Sequence, residues 1–129
     1  MSERVPKLLL QDMLDSVETI LDFTKGMTFE NFVEDRKTRD ACLRNLQIIG
    51  EAANRVPNFV KEQYQEVEWQ RIIRSRHIIV HDYAGVDYEI VWRIIEIYLL
   101  PLKISLVEIL EKLWKNIFSY GIIPNWLKR

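Results

Sequence analysis

The sequence predicts an all-α protein, a bundle of four or five helices, and three observations support this fold class. Apolar residues recur at helical spacing through most of the 129 residues, whereas no stretch alternates with the period of a strand. Only four Gly and four Pro are present, which favours long regular elements over many turns. Hydrophobic residues make up 48% and charged residues 29% of the chain, a composition typical of one globular domain with its own core.

The first helix is predicted from about Val5 to Lys25. Its apolar stripe consists of Leu9, Met13, Val17, Ile20 and Leu21. Gly26 then provides a stop, because glycine readily adopts the left-handed conformation that ends many helices. Thr28, followed by Asn31, has the pattern of a helix start. We therefore expect the chain to turn here before the next helix.

The second main helix is predicted to begin at about Asp35 and to be closed by Asn54 and Pro57. Its apolar stripe consists of Cys42, Leu46, Ile49, Ala53 and Val56. Residues 57–64 indicate a short helix or a turn. A third main helix is expected from Trp69 to a point near His81.

The C-terminal third is predicted to be helical again, with Asp87 as its N-cap. Its apolar positions are Val91, Ile94, Ile95, Tyr98, Leu106, Leu110, Leu113 and Ile117. Pro101 interrupts this pattern, so either the helix kinks there or one helix ends at Leu100 and another begins with Pro101 in its first turn. We divide the chain into a helical domain, residues 1–118, and a short aromatic tail, residues 119–129.

The composition excludes several classes of protein. A single cysteine, Cys42, has no partner for an internal disulfide and provides no cysteine cluster for a metal within one chain. No cationic, apolar signal segment opens the sequence, and the apolar runs are far shorter than the ~20 residues that a bilayer span needs. We expect a reduced, cytoplasmic protein without a membrane segment.

The segment RHIIVHDY, residues 76–83, combines an arginine, two histidines and a tyrosine in an otherwise apolar stretch. Arg71 and Arg74 add local positive charge to that of Arg76, while the whole protein has a formal net charge of -1. A concentrated basic spot on a nearly neutral protein indicates a site for an anion. A histidine such as His81 could take a proton from a ribose 2′-hydroxyl, and an arginine could stabilise charge on the phosphate.

Arg76 and His81 do not converge within one straight helix, because residues five apart are turned by roughly 140°. Convergence needs a break in the helix near His81, or a second copy of the motif from a two-fold partner. A purely structural alternative pairs Arg76 with a carboxylate and lets His81 cap the helix. His77 and His81 are spaced as a metal pair could be, but further ligands are missing, so we expect no metal and no cofactor.

The second helix carries charged residues that could assist the site. Glu51 lies in the apolar run IIGEAA, and a buried carboxylate there would need Arg44 or Arg76 as its cationic partner. Such a pair would also orient Arg76 for work on a phosphate. Asp40 and Arg44, four residues apart, predict an ordinary surface ion pair.

With these residues in view, the chain resembles the HepT-type toxins of the HEPN superfamily. The RxxxxHxY motif carries the resemblance and consists here of Arg76, His81 and Tyr83. Supporting features are DACLRNL at 40–46, IIGEAA at 48–53, Trp69, and VD and IVW within 86–92. The similarity extends from about Leu8 to Leu110. One departure is His77, at a position where family members often carry Asn.

The resemblance implies an all-α homodimer in which two motifs face a shared cleft, and a metal-independent endoribonuclease that is the toxin of a toxin–antitoxin pair. Arg76 and His81 would be catalytic on an RNA substrate. Tyr83 would be the residue that a partner antitoxin, a minimal nucleotidyltransferase of the MntA type, modifies with AMP. The residues expected to support the site or bind RNA are Glu51, Arg44, Arg71, Arg74 and His77. A second interpretation is a non-catalytic nucleotide-binding or docking subunit of a nucleotidyltransferase.

Overall fold

The structure, a computed structural model, describes residues 4–79 and 85–119, and the regular elements in these ranges are helices. The predicted all-α class is confirmed. The helices are α1 (Arg4–Phe23), α2 (Phe29–Glu34), α3 (Arg36–Arg55), α4 (Asn58–Gln63), α5 (Trp69–Ile79) and α6, which runs through Tyr88–Arg93, Ile94–Tyr98 and Leu99–Ser119. Within the described ranges, no helix has both the length and the apolar content that crossing a bilayer demands.

Helix α3 lies between α1 and α5, and the C-terminal part of α6 packs on α1. Most of the predicted apolar stripes are buried in this arrangement. The buried members are Leu9, Met13, Val17, Ile20, Cys42, Leu46, Ile49, Ala53, Val56, Val91, Ile95, Leu106, Leu110 and Leu113. The burial of these side chains is the main force that holds the helices together. Helix α5 packs directly against α3 in this arrangement.

The helix ends follow local signals in the sequence. Gly26 has φ 76°, the left-handed conformation expected of a residue that stops a helix. Thr28 and Asn31 form a reciprocal capping box at α2, each side chain accepting a backbone N–H of the other at 3.1 Å. Asp87 caps α6 by accepting two backbone N–H groups of its first turn. The predicted cap at Asp87 is confirmed.

Helix α6 continues through Pro101, so of the two alternatives that the sequence left open, the start of a new helix at Pro101 is not found. Proline has no N–H to donate to the carbonyl one turn earlier, and its ring crowds that carbonyl. The structure has a wider π-helical turn, Ile94–Tyr98, directly before this region. The extra residue in the π turn shifts the helical register. As a result Tyr98, which the spacing predicted in the core stripe, is 39% exposed.

Cys42 is buried in α3. Burial, followed by the negative charge of Asp35, raises the pKa of the thiol to about 11. The thiol is therefore neutral at physiological pH and acts as a small apolar side chain in the core.

The cap of α3 at Asp35 generates a prediction about pH. The Asp35 carboxylate accepts hydrogen bonds from Oγ1 of Thr38 at 2.7 Å and from its backbone N–H at 3.1 Å, and these bonds lower the pKa of Asp35 below 3.8. A lowered folded-state pKa stabilises the fold above the unfolded-state pKa, and this contribution is lost as the pH falls through the folded-state pKa. We expect Asp35→Ala to lower the urea midpoint of unfolding at pH 7, and the difference to shrink below about pH 3.8.

Asp35→Asn is the control, because asparagine caps a helix but does not titrate. Its urea midpoint should lie between those of the parent and Asp35→Ala at pH 7. A gap between the parent and Asp35→Ala that stays constant from pH 7 to pH 3 would contradict this account of the cap.

Candidate active site

Arg76 lies in the last described turn of α5, and its side chain crosses α3 at Gly50. A Cβ atom placed on Gly50 would collide with Cγ of Arg76 and would lie 2.8 Å from its Cδ. Only glycine therefore leaves room for the aliphatic part of this arginine. The Nε–H of Arg76 donates to the carbonyl oxygen of Ile73 at 3.2 Å, which further fixes the side chain.

The Arg76 side chain is half-buried, and no carboxylate of the described residues pairs with it. The structural alternative, in which Arg76 forms an ion pair, is thus not found among these residues. A guanidinium that is partly removed from water and held by packing has donors left for an anion. This is the arrangement that stabilisation of a phosphate requires.

The expected partner Glu51 is exposed, so the prediction of a buried carboxylate on α3 is wrong. Its neighbours Gly50 and Ala52 are buried, but successive helical residues are turned by about 100°, and Glu51 falls on the outer side. Glu51 makes no ion pair with Arg76 or Arg44 among the described residues. An exposed carboxylate needs no cationic partner, which removes the reason for the predicted pair.

The predicted surface ion pair of Asp40 and Arg44 is not found among the described residues, and Asp40 pairs with Arg36 instead. Asp40 lies 3.7 Å from Nε of Arg36, one turn earlier on α3, and Arg44 is exposed. The side chains of Arg36 and Asp40 are 84% and 61% exposed, so this pair contributes little to stability. Arg44 remains available to an external anion.

The three arginines of α5 do not form the single basic spot that the sequence predicted. Relative to Arg76, Arg71 is turned by roughly 140° and Arg74 by roughly 160° around the helix axis. Nη1 of Arg71 lies 3.1 Å from Oε2 of Glu68 and donates to the hydroxyl of Tyr98 on α6 at 3.1 Å. Arg74 is exposed and donates to the carbonyl oxygen of Gln70. Only Arg76 faces α3, and the other two arginines serve different surfaces.

Of the other residues in the segment 76–83 that were predicted to form the site, the structure describes His77 but not His81 or Tyr83. His77 is exposed in the last turn of α5, next to Arg76. His81 and Tyr83 lie outside the described residues, so the approach of His81 to Arg76 stays a prediction, as does any pairing of His77 with His81. Within the part of the chain that is described, no three His, Cys, Asp or Glu residues are grouped as metal ligands.

Two residues that position Arg76 were not identified as such from the sequence. Gly50 was noted only as part of the run IIGEAA, although a glycine inside a strong helical pattern commonly marks close packing. Trp69 anchors the start of α5, because its buried indole donates to the carbonyl oxygen of Tyr64 at 3.0 Å. Together they fix where α5 begins and how closely it approaches α3.

The described residues thus form an all-α bundle that fixes an arginine on one helix with no acidic partner among them, which makes it a candidate anion site. Comparison with known proteins identifies the family. Residues 13–109 match the family model described as "Ribonuclease HepT-like". This range includes Gly50, Arg76 and the whole RxxxxHxY motif. The chain therefore belongs to the HepT-like ribonuclease family, and both the predicted resemblance and the ribonuclease class are confirmed.

The chain is similar to several prokaryotic proteins. It is 38% identical over 95 residues to "Putative RNase MJ0127" of Methanocaldococcus jannaschii, which covers 74% of this chain and 78% of that protein. It is 37% identical over 94 residues to "Probable ribonuclease HepT" of Thermococcus cleftensis, covering 73% and 86%. It is 35% identical over 109 residues to "Putative RNase TTE0752" of Caldanaerobacter subterraneus, covering 84% and 97%. No solved structure matched significantly.

The contact between Gly50 and Arg76 predicts a separation of activity from stability. Alanine is favoured over glycine in a helix interior by about 0.5–1 kcal/mol, but a methyl group on Gly50 displaces the Arg76 side chain. We expect Gly50→Ala to change the free energy of unfolding little, because the two effects oppose each other. RNA cleavage should fall by at least tenfold, since small displacements of a positioned group can cost roughly 10²-fold in rate.

The Arg76→Ala background is the control for this prediction. Without the long side chain the collision disappears, so Gly50→Ala should then stabilise the protein by about 0.5–1 kcal/mol in urea unfolding. Equal effects of Gly50→Ala on stability in both backgrounds would show that the two residues are not coupled.

Proposed function

We propose that this protein is a metal-independent endoribonuclease and the toxin of a toxin–antitoxin pair, with Arg76 and His81 as its catalytic residues. The observation that carries the proposal is Arg76, a half-buried residue whose aliphatic part packs against Gly50 and whose guanidinium has no acidic partner among the described residues. A fixed arginine of this kind suits the binding of a phosphodiester better than the binding of another protein. The N–H donors of its guanidinium that remain free are few and point in fixed directions.

The proposed reaction needs no metal. His81 takes the proton of a ribose 2′-hydroxyl, and the oxygen attacks the adjacent phosphorus atom. Arg76 binds the non-bridging oxygens as negative charge develops on them. The bond to the 5′-oxygen of the next nucleotide breaks, and that oxygen takes up a proton. The products are a 2′,3′-cyclic phosphate and a free 5′-hydroxyl. General acid–base help of this kind typically contributes ~10²–10⁴-fold to the rate.

A homodimer would bring these groups together. Helical geometry turns Arg76 and His81 apart by roughly 140° if α5 is continued to His81. Two copies related by a two-fold axis can place two motifs around one cleft, which supplies each scissile linkage with both groups. We propose that Arg44, Glu51 and His77, which are exposed on α3 and α5, line the approach of the RNA to this cleft.

Tyr83 would be the site of control. We propose that a nucleotidyltransferase antitoxin attaches AMP to the Tyr83 hydroxyl. Each added phosphate would bring negative charge and bulk to the basic cleft, which would repel the RNA backbone. We further propose that residues 1–118 form the catalytic domain and that residues 119–129 are a separate tail.

The first test of this function is cleavage of RNA in excess EDTA. The purified parent should cleave, because the mechanism uses only side chains. Arg76→Ala and His81→Ala should each lower the rate by roughly 10²-fold or more, since a charge-stabilising group and a general base each contribute at least this much. Cleavage is followed as appearance of fragments that end in a cyclic phosphate.

Arg36→Ala is the matched control for charge. Arg36 is 84% exposed and lies fourteen residues before Gly50 on the same helix, a distance of roughly 21 Å. The Arg36→Ala variant should cleave RNA at the parental rate. Equal cleavage by the parent and both catalytic variants would indicate a contaminating nuclease, and loss of cleavage by the parent in EDTA would exclude the metal-independent mechanism.

The second test concerns Tyr83. Tyr83→Phe removes the acceptor hydroxyl but leaves the ring, so cleavage should continue at a rate close to that of the parent. The nucleotidyltransferase with ATP should silence the parent and leave Tyr83→Phe active. Mass spectrometry reports the added AMP groups. Transfer of AMP to another residue of Tyr83→Phe, with loss of cleavage, would contradict the assignment.

A further inference from the structure

Arg39, in the first turn of α3, is a second half-buried arginine that has no acidic partner among the described residues. The two acids nearest to it in the sequence have other partners. Both carboxylate oxygens of Asp35 accept hydrogen bonds from Thr38, and Asp40 pairs with Arg36. The Nε atom of Arg39 is buried and makes no hydrogen bond with any described residue. Because native structures satisfy most buried polar atoms, such an exception often marks a bound ion or a functional role.

An aromatic ring holds the guanidinium of Arg39. Its Cζ atom lies 4.7 Å from the centroid of the ring of Tyr88, the first residue of α6. The Tyr88 ring packs edge-on against the buried ring of Phe32 on α2, with the two centroids 6.2 Å apart. The negative face of an aromatic ring attracts a cation above it but uses none of the N–H donors of a guanidinium. This stacking therefore fixes the guanidinium without using a donor that could bind an anion.

Arg39 lies on the side of α3 against which Arg76 packs. It precedes Gly50, the contact point of Arg76, by eleven residues, which turns it by only about 20° around the helix axis. The two positions on α3 are separated by roughly 17 Å along this axis. A stacked strand covers that distance with about five nucleotides, at roughly 3.4 Å for each. One RNA strand can therefore contact both arginines.

We propose that Arg39 is a second phosphate-binding residue of the RNA site and that Tyr88 positions it. Arg76 acts on the scissile phosphate, and Arg39 binds a phosphate about five nucleotides away on the same strand. The inference rests on the proposed function, because it adds a contact to the same RNA. Contacts to phosphates that do not react hold the strand in place. Arg39 therefore determines how tightly RNA is bound and leaves the rate of the chemical step unchanged.

The salt dependence of RNA binding tests the phosphate contact. The probe is a single-stranded RNA of about twelve nucleotides whose 2′-hydroxyls are methylated, which removes the attacking group and prevents cleavage. Each phosphate contact of a single strand contributes about 0.7 to the slope of log K against log salt concentration. Arg39→Gln should therefore reduce the slope by about 0.7, and Arg39→Lys, which keeps the charge, should retain most of it. A parental slope in Arg39→Gln overturns the proposal.

Arg36→Gln is the matched control for this measurement. Arg36 is an 84% exposed arginine in the same turn of α3. Its replacement removes the same charge from the same end of the helix, and it should leave the slope unchanged. A reduction in Arg36→Gln as large as in Arg39→Gln would indicate a general attraction to a basic surface, and this result overturns a specific contact at Arg39.

Cleavage kinetics test the distance between the two arginines. For unmodified RNA of about twelve nucleotides, Arg39→Gln should raise KM by roughly tenfold, the typical size of a hydrogen-bonded contact to a charged group, and leave kcat unchanged. A strand of about four nucleotides cannot reach from Arg76 to Arg39, so the KM values of the parent and the variant should then be equal. A difference that persists with the short RNA, or a fall in kcat alone, overturns the second phosphate site.

The positioning role of Tyr88 is tested in two backgrounds. Tyr88→Leu should raise KM roughly two- to fivefold, the usual size of an exposed cation–π contact, and Tyr88→Phe should behave like the parent because it keeps the aromatic face. In the Arg39→Gln background, Tyr88→Leu should have no further effect on KM. Circular dichroism checks that the variants keep their helices. An equal rise in both backgrounds overturns the positioning of Arg39 by Tyr88.

The combined results separate this inference from the proposed function. If Arg76→Ala loses cleavage while Arg39→Gln keeps the parental KM and slope, the function stands and the second phosphate site is overturned. If the parent binds RNA with a slope that depends on Arg39 but does not cleave it, the phosphate site stands and the nuclease is overturned. If the parent neither binds nor cleaves RNA, both are overturned.

Discussion

The contact between Arg76 and Gly50 is the constraint on which the candidate site depends. Because Gly50 has no side chain, the aliphatic part of Arg76 can lie against α3. Arg76 is half-buried in this position, and the nearby acid of α3, Glu51, is exposed. Partial removal of a cation from water without a counter-ion costs free energy, and binding of an anion reverses that cost. The packing of two helices thus provides the electrostatic basis of the proposed anion site.

Helix α5 is short, yet three of its faces serve different surfaces. One face carries Arg76 against α3, a second lines an apolar cavity beside α6, and a third carries Arg74 into solvent. Trp69 fixes the helix at its first residue through a buried hydrogen bond. A change in the rotation of α5 would therefore move the site and the cavity together.

Local features of the sequence were sufficient for much of the fold. The apolar stripes predicted the core of α1 and α3, and Gly26 and Asp87 predicted where helices end and begin. These predictions hold because capping and amphipathic burial act over one or two turns. The family resemblance likewise depended on residue types at fixed spacing. It identified Arg76 without any knowledge of what the side chain contacts.

The sequence by itself therefore determined the all-α class, most helix ends, the buried stripes and the ribonuclease family. Only the tertiary structure decided that Glu51 is exposed and that a π turn places Tyr98 outside the core. It also decided that Arg71 and Arg74 donate to Tyr98 and Gln70 and do not share the surface of Arg76. The physical reason is one of range. Helix formation and capping depend on neighbours in the chain, whereas burial and ion pairing depend on which face of each helix meets another.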